Sequence, residues 1–442
     1  MAGFALTHFG EPQKSLSMPK GAKKNPRQFN SIDLFAGAGG LSAGLQMAGF
    51  KTLFANEISP AYAETLKQNH PETKVLTEDI RQASAVDVMR ELGVAKGELD
   101  LVAGGPPCQG FSINAPIRST GDSRNHLFLE FLRFVEEFQP KCVMIENVPG
   151  MVSFNSGETV RAIITRLQRL GYSTAVRVVY AAHFGVPQMR WRTIFLGTRL
   201  DFEPLLLYPE VSHKALGRAN FTTKLDGMSL VSSNEEIERV ARLPFTTVDQ
   251  AISDLPPIDN GGGSQKSAYT GKPSSEFQRE LRKLSKWVFN HECAGIAKTN
   301  IERLKHIPQG GSWRDIPFEL LPVGMKRARR SDHTKRYGRL DPKGIASTIL
   351  TKCDPHWGAY FHPTQNRVLS VREAARLQSF PDHIRFFGSL TDQYKQVGNA
   401  VPPLLACAFG KRIISCLHAY EEGRSPPPTT VAQNIQSTLQ FE

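Results

Sequence analysis

The sequence predicts an α/β fold: a mostly parallel, doubly wound sheet with a smaller and irregular second domain. Three observations predict it. A strand over residues 31–35 runs into the glycine-rich turn Ala36-Gly37-Ala38-Gly39-Gly40 and then into helical spacing at Leu41, Leu45 and Ala48. Short apolar strands recur at 52–55, 74–76, 100–103 and 142–145, the pattern of a buried parallel sheet. From about residue 200 to 365 the periodicity weakens, and basic and aromatic residues interleave.

At 442 residues the chain has room for two or three domains of ~100–200 residues each. Lys and Arg total 54 against 42 Asp and Glu, so the net charge of +12 suggests a polyanionic partner. No stretch approaches the ~18 apolar residues of a membrane span, and residues 1–14 lack a signal-peptide core. The six cysteines form no C-x-x-C pair, which argues against a disulfide framework or zinc ribbon and for a reduced, intracellular protein.

Taken in order, residues 1–28 are a basic tail carrying Lys14, Lys20, Lys23, Lys24 and Arg27, expected to be disordered. Glycines at 37, 39 and 40 let backbone N–H groups approach a ligand at the positive end of the first helix. Ser42 stands where the third glycine of a dinucleotide fingerprint belongs. The second strand ends at Glu57, twenty residues after Gly37 and suited to a ribose diol, or to a helix N-terminus before Pro60. The third leads to Asp79-Ile80. Gly, Glu and Asp at three strand ends describe a nucleoside pocket without a pyrophosphate loop, which fits S-adenosylmethionine better than NAD.

The fourth strand is stopped by Gly104-Gly105-Pro106-Pro107, presenting Cys108 at a strand's carboxyl end, where open α/β sheets place ligands. Arg118, Gly121, Arg124 and Asn125 follow on a segment suited to a lid. A helix over 127–138 precedes a buried strand that delivers Glu146 to the same edge as Cys108; an acid there is costly unless it is paired or useful. A helix spans 160–170, and strands lie near 176–180 and 193–197. Between these strands, Gln188-Met189-Arg190-Trp191-Arg192 puts both arginines on one side of an extended chain, for salt bridges or for a phosphate or base. In the irregular region Trp287, Trp313, Lys326, Arg327, Arg329, Arg330, Lys335, Arg336, Tyr337 and Trp357 make either a solvated face or a DNA groove. Residues 371–379 read as helix, 396–403 as a tight turn before an apolar helix over 404–417, and the tail from 421 as disordered. The expected divisions are 29–200, 201–365 for recognition, 366–420 returning to the first domain, and 421–442.

Seven segments in this order resemble the cytosine-C5 DNA methyltransferase family over residues 31–420: Asp33 to Gly40, Glu57, Asp79, Pro106-Pro107-Cys108-Gln109, Glu146-Asn147-Val148 with Gln188-x-Arg190-x-Arg192, Arg376 to Pro381, and Gln396 to Asn399. The resemblance implies a class I S-adenosylmethionine-dependent methyltransferase sheet, a target-recognition domain and a final helix returning to the sheet. It implies a cofactor pocket of Phe35, Ala36, Gly37, Gly39, Gly40, Leu41, Glu57, Ile58, Asp79, Ile80, Pro107, Leu127, Asn399 and Val401. Cys108, Glu146, Arg190 and Arg192 would be catalytic. Gln109, Ser112, Arg118, Arg124, Gly310, Gly311, Trp313 and Thr348 would meet DNA. No metal is implied. The implied setting is a monomer in a prokaryotic cytoplasm, at the nucleoid, acting on double-stranded DNA either as an orphan modification methylase or beside a cognate restriction endonuclease that acts separately.

The chemistry stands apart from the resemblance. Carbon 5 of cytosine is a poor nucleophile until a thiolate adds at carbon 6 and makes an enamine. The base must leave the duplex, at ~2–4 kcal/mol. A tRNA cytosine methyltransferase and a catalytically silent DNA-binding relative are the rival readings. The long basic segment disfavours the first; intact Cys108 and Glu146 disfavour the second. The missing H-x-E…P-C-x-x-C ligands disfavour zinc deamination.

Overall fold

A computed structural model describes residues 27–107 and 127–430. The large domain is a seven-stranded sheet in the order β3-β2-β1-β4-β5-β7-β6. Its strands are β1 (Asn30–Leu34), β2 (Lys51–Asn56), β3 (Lys74–Leu76), β4 (Leu101–Gly104), β5 (Cys142–Asn147), β6 (Ser173–Tyr180) and β7 (Trp191–Thr198). The first five are parallel; β7 runs antiparallel between β5 and β6. The helices are α1 (Gly40–Ala48), α2 (Pro60–Asn69), α3 (Ala85–Leu92), α4 (Leu127–Phe138), the single turn α5 (Gly150–Ser153) and α6 (Glu158–Arg169). Buried Phe131, Phe134 and Phe138 of α4 join Val160, Ile163 and Leu167 of α6 over one sheet face. Each such side chain contributes ~1.5–3 kcal/mol by leaving water.

α1 packs against the last long helix, Pro403–Glu421. The contact works because it lacks side chains: a Cβ at Gly44 would lie 2.3 Å from the Pro403 carbonyl and 2.4 Å from the Ala406 Cβ. The carboxyl-terminal helix thereby closes the domain that the amino-terminal strand begins. The helical stretch Leu390–Glu421 is also long and apolar enough to cross a membrane, contrary to the expectation from sequence. Its apolar surface is instead spent inside the protein, where two-thirds of that window is buried.

The smaller domain is built from short helices and two-stranded ladders, the largest pairing Gly263–Ser267 with Val288–Glu292. The helices Val371–Leu377 and Leu390–Asn399 share its core: Val371, Ala374, Leu377 and Val397 pack with Val248, Ile252, Val288 and Ile349. The helix from Pro403 onward packs on the large domain's first helix, and the segment before it touches that domain as well: Ala43 of the first helix joins the cluster of Phe380 and Val397, and the Thr65 hydroxyl donates to Gln396 Oε1 at 2.7 Å. The expected tight turn at 396–403 is also shorter than predicted. A capping box between Ser389 and Asp392 starts a helix that continues to Asn399, with Gly398 inside it because a Cβ there would sit 2.3 Å from the Leu350 carbonyl. Within the tail expected to be disordered, Thr429 is buried and Arg412 donates to the Pro427 carbonyl. At the other end, Arg27 pairs with Asp100 at 2.8 Å.

Three buried arginines hold the small domain together. Arg367 makes a bidentate pair with Glu373, both bonds 2.7 Å. Arg376 bridges Asp382 and Asp254, and Arg372 donates to the carbonyls of Phe289 and Ile384. Arg376 belongs to a segment matched on sequence, and its role is internal. Gln378 and Ser379 of that segment are also buried: Gln378 donates to the Val397 carbonyl, and the Leu404 N–H donates to the Ser379 hydroxyl at 3.1 Å.

Candidate active site

The register of the sheet assembles the site. Gly104 of β4 is level with Ile145 of β5, and Glu146 of β5 with Ile194 of β7, so Pro106, Glu146 and Arg192 meet at one edge. Arg192 Nε pairs with Glu146 Oε1, and Arg192 Nη1 donates to the Trp191 carbonyl at 2.7 Å. Asn147 Nδ2 donates to the Pro106 carbonyl at 3.0 Å, fastening the chain one step before Pro107 and Cys108. Gly105 lets that chain lie against the acid: a Cβ there would be 3.2 Å from Glu146 Oε2. A carboxylate and a guanidinium therefore stand beside the entry to Cys108. Cys108 itself, with Gln109, Ser112, Arg118 and Arg124, lies outside the described residues.

Arg190 differs from Arg192. Its guanidinium is buried and donates to the carbonyls of Ile349 (3.1 Å), Gly398 (2.9 Å) and Ala400 (3.0 Å), and to Gln188 Oε1 (3.4 Å). Burial pushes its pKa well down, with Arg192 adding to the effect. Among the described residues it makes no salt bridge; it clamps two backbone segments, at 349 and at 398–400. Gln188 is a second hub that periodicity alone does not reveal. It donates to the Leu377 carbonyl and to Gln378 Oε1, and receives the Ile349 N–H.

A second cluster surrounds the glycine turn. β1 ends at Leu34, and Phe35 takes φ +60°, a left-handed conformation costly for an aromatic residue. Glu57, at the end of β2, accepts the Gly37 N–H on Oε2 and the Ser59 N–H on Oε1, each at 2.8 Å. Burial raises its pKa while these N–H groups oppose the rise. Beside it Ile58 is exposed, Ile80 and Val401 are buried, and Asn399 is exposed at the end of its helix. Ala36, Gly39, Gly40 and Leu41 are buried, whereas Pro107 and Leu127 are half-buried. Asp79 is held below the usual carboxylate range by the Arg81 guanidinium, which bonds both of its oxygens. A Cβ at Gly40 would lie 2.3 Å from the Val401 carbonyl, so the turn and the Asn399–Val401 segment touch through backbone. Beneath them Asp33 is fully buried. Ser42 donates to its Oδ2 at 2.6 Å while Oδ1 has no partner, and burial raises its pKa to about 7.

The small-domain candidates separate. Gly310 is exposed and Gly311 half-buried, on a turn that docks to Arg339 through the Gly310 N–H and the Gly311 carbonyl, both 3.1 Å. Trp313, expected from sequence to meet DNA, is buried and packed with Leu304, Ile307 and Tyr337. Thr348 gives its hydroxyl to the Met189 carbonyl and its carbonyl to Tyr360 Oη, so it stitches the small domain to the Gln188–Arg192 run. Those last two roles come from which face the chain buries, and composition does not distinguish them.

The chain is similar to known proteins over most of its length. A family model described as C-5 cytosine-specific DNA methylase matches residues 29–415. The DNA (cytosine-5)-methyltransferase 1 of Mus musculus is 33% identical over 92% of this chain, which spans 29% of that longer protein. Type II methyltransferase M.AgeI of Thalassovita gelatinovora is 34% identical, covering 87% of this chain and 98% of its own. Among solved structures, a prophage-encoded E. coli protein assigned as a DNA modification methyltransferase superposes with a TM-score of 0.65 at 25% identity, covering 88% of this chain and all of that one.

Proposed function

Because the chain belongs to the C-5 cytosine-specific DNA methylase family, we propose that it transfers a methyl group to carbon 5 of cytosine in duplex DNA. The observation that carries the proposal is the Glu146–Arg192 pair set against the Gly105–Pro106 chain that leads into Cys108. The family uses S-adenosylmethionine, and the residues around the glycine turn fit it chemically. Glu57 retains lone pairs for a ribose diol, Asp79 can accept from an amino group, and Ile58 and Leu127 offer apolar surface to a flat ring. When bound, that cofactor supplies an electrophilic sulfonium methyl.

The chain's own groups do the rest. Cys108, as thiolate, adds to carbon 6 of an extruded cytosine; free thiols ionise near ~8.5, so neighbouring positive charge favours the reactive form. Glu146 holds or protonates N3 and accepts from the 4-amino group, which draws electron density out of the ring as sulfur adds. Arg192 pairs with Glu146 in the free enzyme and contacts O2 of the base. After carbon 5 is methylated, a base acting through water removes its proton and Cys108 is expelled. Arg190 supports this site from behind and does not touch the base. The type II relative supports reading the chain as the modification half of a restriction–modification pair, working in the cytoplasm on chromosomal DNA.

A duplex carrying 5-fluorocytosine at the target tests the scheme, since fluorine cannot leave as a proton does. We expect a covalent adduct at Cys108 and none with Cys108→Ala, which should still bind DNA and cofactor. An adduct that persists in Cys108→Ala would refute the assignment.

A further inference from the structure

We propose that residues 326–336 of the small domain form a ridge that grips the phosphate backbone of duplex DNA; this rests on the reading of the chain as a DNA methyltransferase. Eleven residues there carry Lys326, Arg327, Arg329, Arg330, Lys335 and Arg336 against one carboxylate, Asp332. Lys326, Arg327, Arg329, Arg330 and Lys335 are exposed. None of the six forms an ion pair among the described residues. Cations elsewhere in the small domain do: Arg279 pairs with Glu276, Lys283 with Glu280 and Lys305 with Glu302. The one local acid is committed to the backbone, where Asp332 Oδ2 accepts the Arg329 N–H at 3.1 Å. Six like charges held together repel one another, and a polyanion relieves that repulsion.

The ridge is held in shape. Met325 at its start and Tyr337 at its end are buried in one core with Trp313, Leu304 and Ile307. Successive turns close through the N–H groups of Ala328, Asp332 and Arg336 onto the carbonyls of Met325, Arg329 and His333. Exposed aromatic rings fix the outermost cations, Lys326 lying 5.3 Å over Phe318 and Arg336 5.6 Å over Trp357. The ridge also joins the site directly. Ten residues beyond it, Ala346 pairs with Gln188 and receives the Met189 N–H at 2.8 Å, on the run that carries Arg192. A duplex lying on the ridge is thus registered against the chain that holds the catalytic pair.

The test uses the full chain with Lys326→Gln, Arg327→Gln, Arg329→Gln and Arg330→Gln combined, and fluorescence anisotropy on a labelled duplex across a salt series. The control combines Arg161→Gln, Arg279→Gln, Lys283→Gln and Lys305→Gln, which removes the same charge from ion-paired positions. We expect the ridge variant's plot of log affinity against log salt to flatten by roughly 3 to 4, about 0.9 for each phosphate no longer neutralised. Its KM for DNA should rise on the order of tenfold or more at moderate salt, with kcat at saturating DNA unchanged, while the control keeps the wild-type slope. An unchanged slope in a ridge variant that still methylates, or equal flattening in the control, overturns the ridge assignment alone. Preferential loss of double-stranded RNA binding with duplex DNA binding intact also overturns it. A wild-type chain that shows the ridge-dependent slope yet never methylates DNA keeps the ridge and overturns the reaction.

Discussion

Arg190→Met separates a residue that holds the site from one that performs the reaction. Methionine fills much of the same volume but gives up every donor, so the carbonyls of Ile349, Gly398 and Ala400 each lose a hydrogen bond from a buried cation. An orphaned buried acceptor costs about 1–3 kcal/mol, so three of them set an upper bound of about 9. The variant also relieves the burial of a guanidinium whose ionised form is disfavoured. Carbonyls keep a second lone pair for other partners. We therefore expect a net loss of about 3–5 kcal/mol, a large part of the ~5–15 kcal/mol that holds a typical domain. Gly398 and Ala400 flank Asn399 and precede Val401, so the second consequence falls on the cofactor. Its KM should rise by about tenfold or more, corresponding to ~1.4 kcal/mol, while kcat at saturating cofactor falls less. Urea unfolding monitored by fluorescence, followed by initial rates across cofactor concentration, gives both numbers. Wild-type stability combined with a collapse in kcat would refute this reasoning and make Arg190 a direct substrate contact.

Glu146→Gln should lower kcat by roughly 10²–10⁴-fold while the urea midpoint moves little, because glutamine keeps the size of the acid and an oxygen facing Arg192; single-turnover methyl transfer measures it. Asp33 is protonated more readily in the folded chain than its unfolded value of 3.8, so its contribution to stability is full below about pH 4 and is lost as pH rises through about 7. Asp33→Asn, which keeps an oxygen for Ser42, should remove on the order of 4 kcal/mol of that decline, read as urea midpoints at acidic and mildly alkaline pH; parallel curves for the two proteins would contradict it. Gly44→Val should cost more than ~3 kcal/mol, since its Cβ alone meets the Pro403 carbonyl and Ala406, and a melting temperature within a degree of wild type would show that the two helices do not meet as described.

Much of this protein is legible in its sequence because the relevant physics is local. Strand ends at Gly37, Glu57, Asp79, Gly104 and Glu146 follow from apolar runs and their breakers, and the strand order then fixes which polar groups share an edge. Other features depend on which face a chain buries, and local pattern carries no record of that. Trp313 and Thr348 read as DNA contacts until the fold turns one into a core and spends the other's hydroxyl on Met189. Arg190 and Arg192 sit two residues apart on the same side of a strand. The partner elements arriving from residues 349 and 398–400 decide that one is a clamp, while the other is the ion-pair partner of Glu146. Sequence alone determined the sheet, the acids at its edge and the family chemistry. Tertiary structure alone decided which arginines remain available, because availability depends on the carbonyls and carboxylates that distant segments bring within about 3 Å.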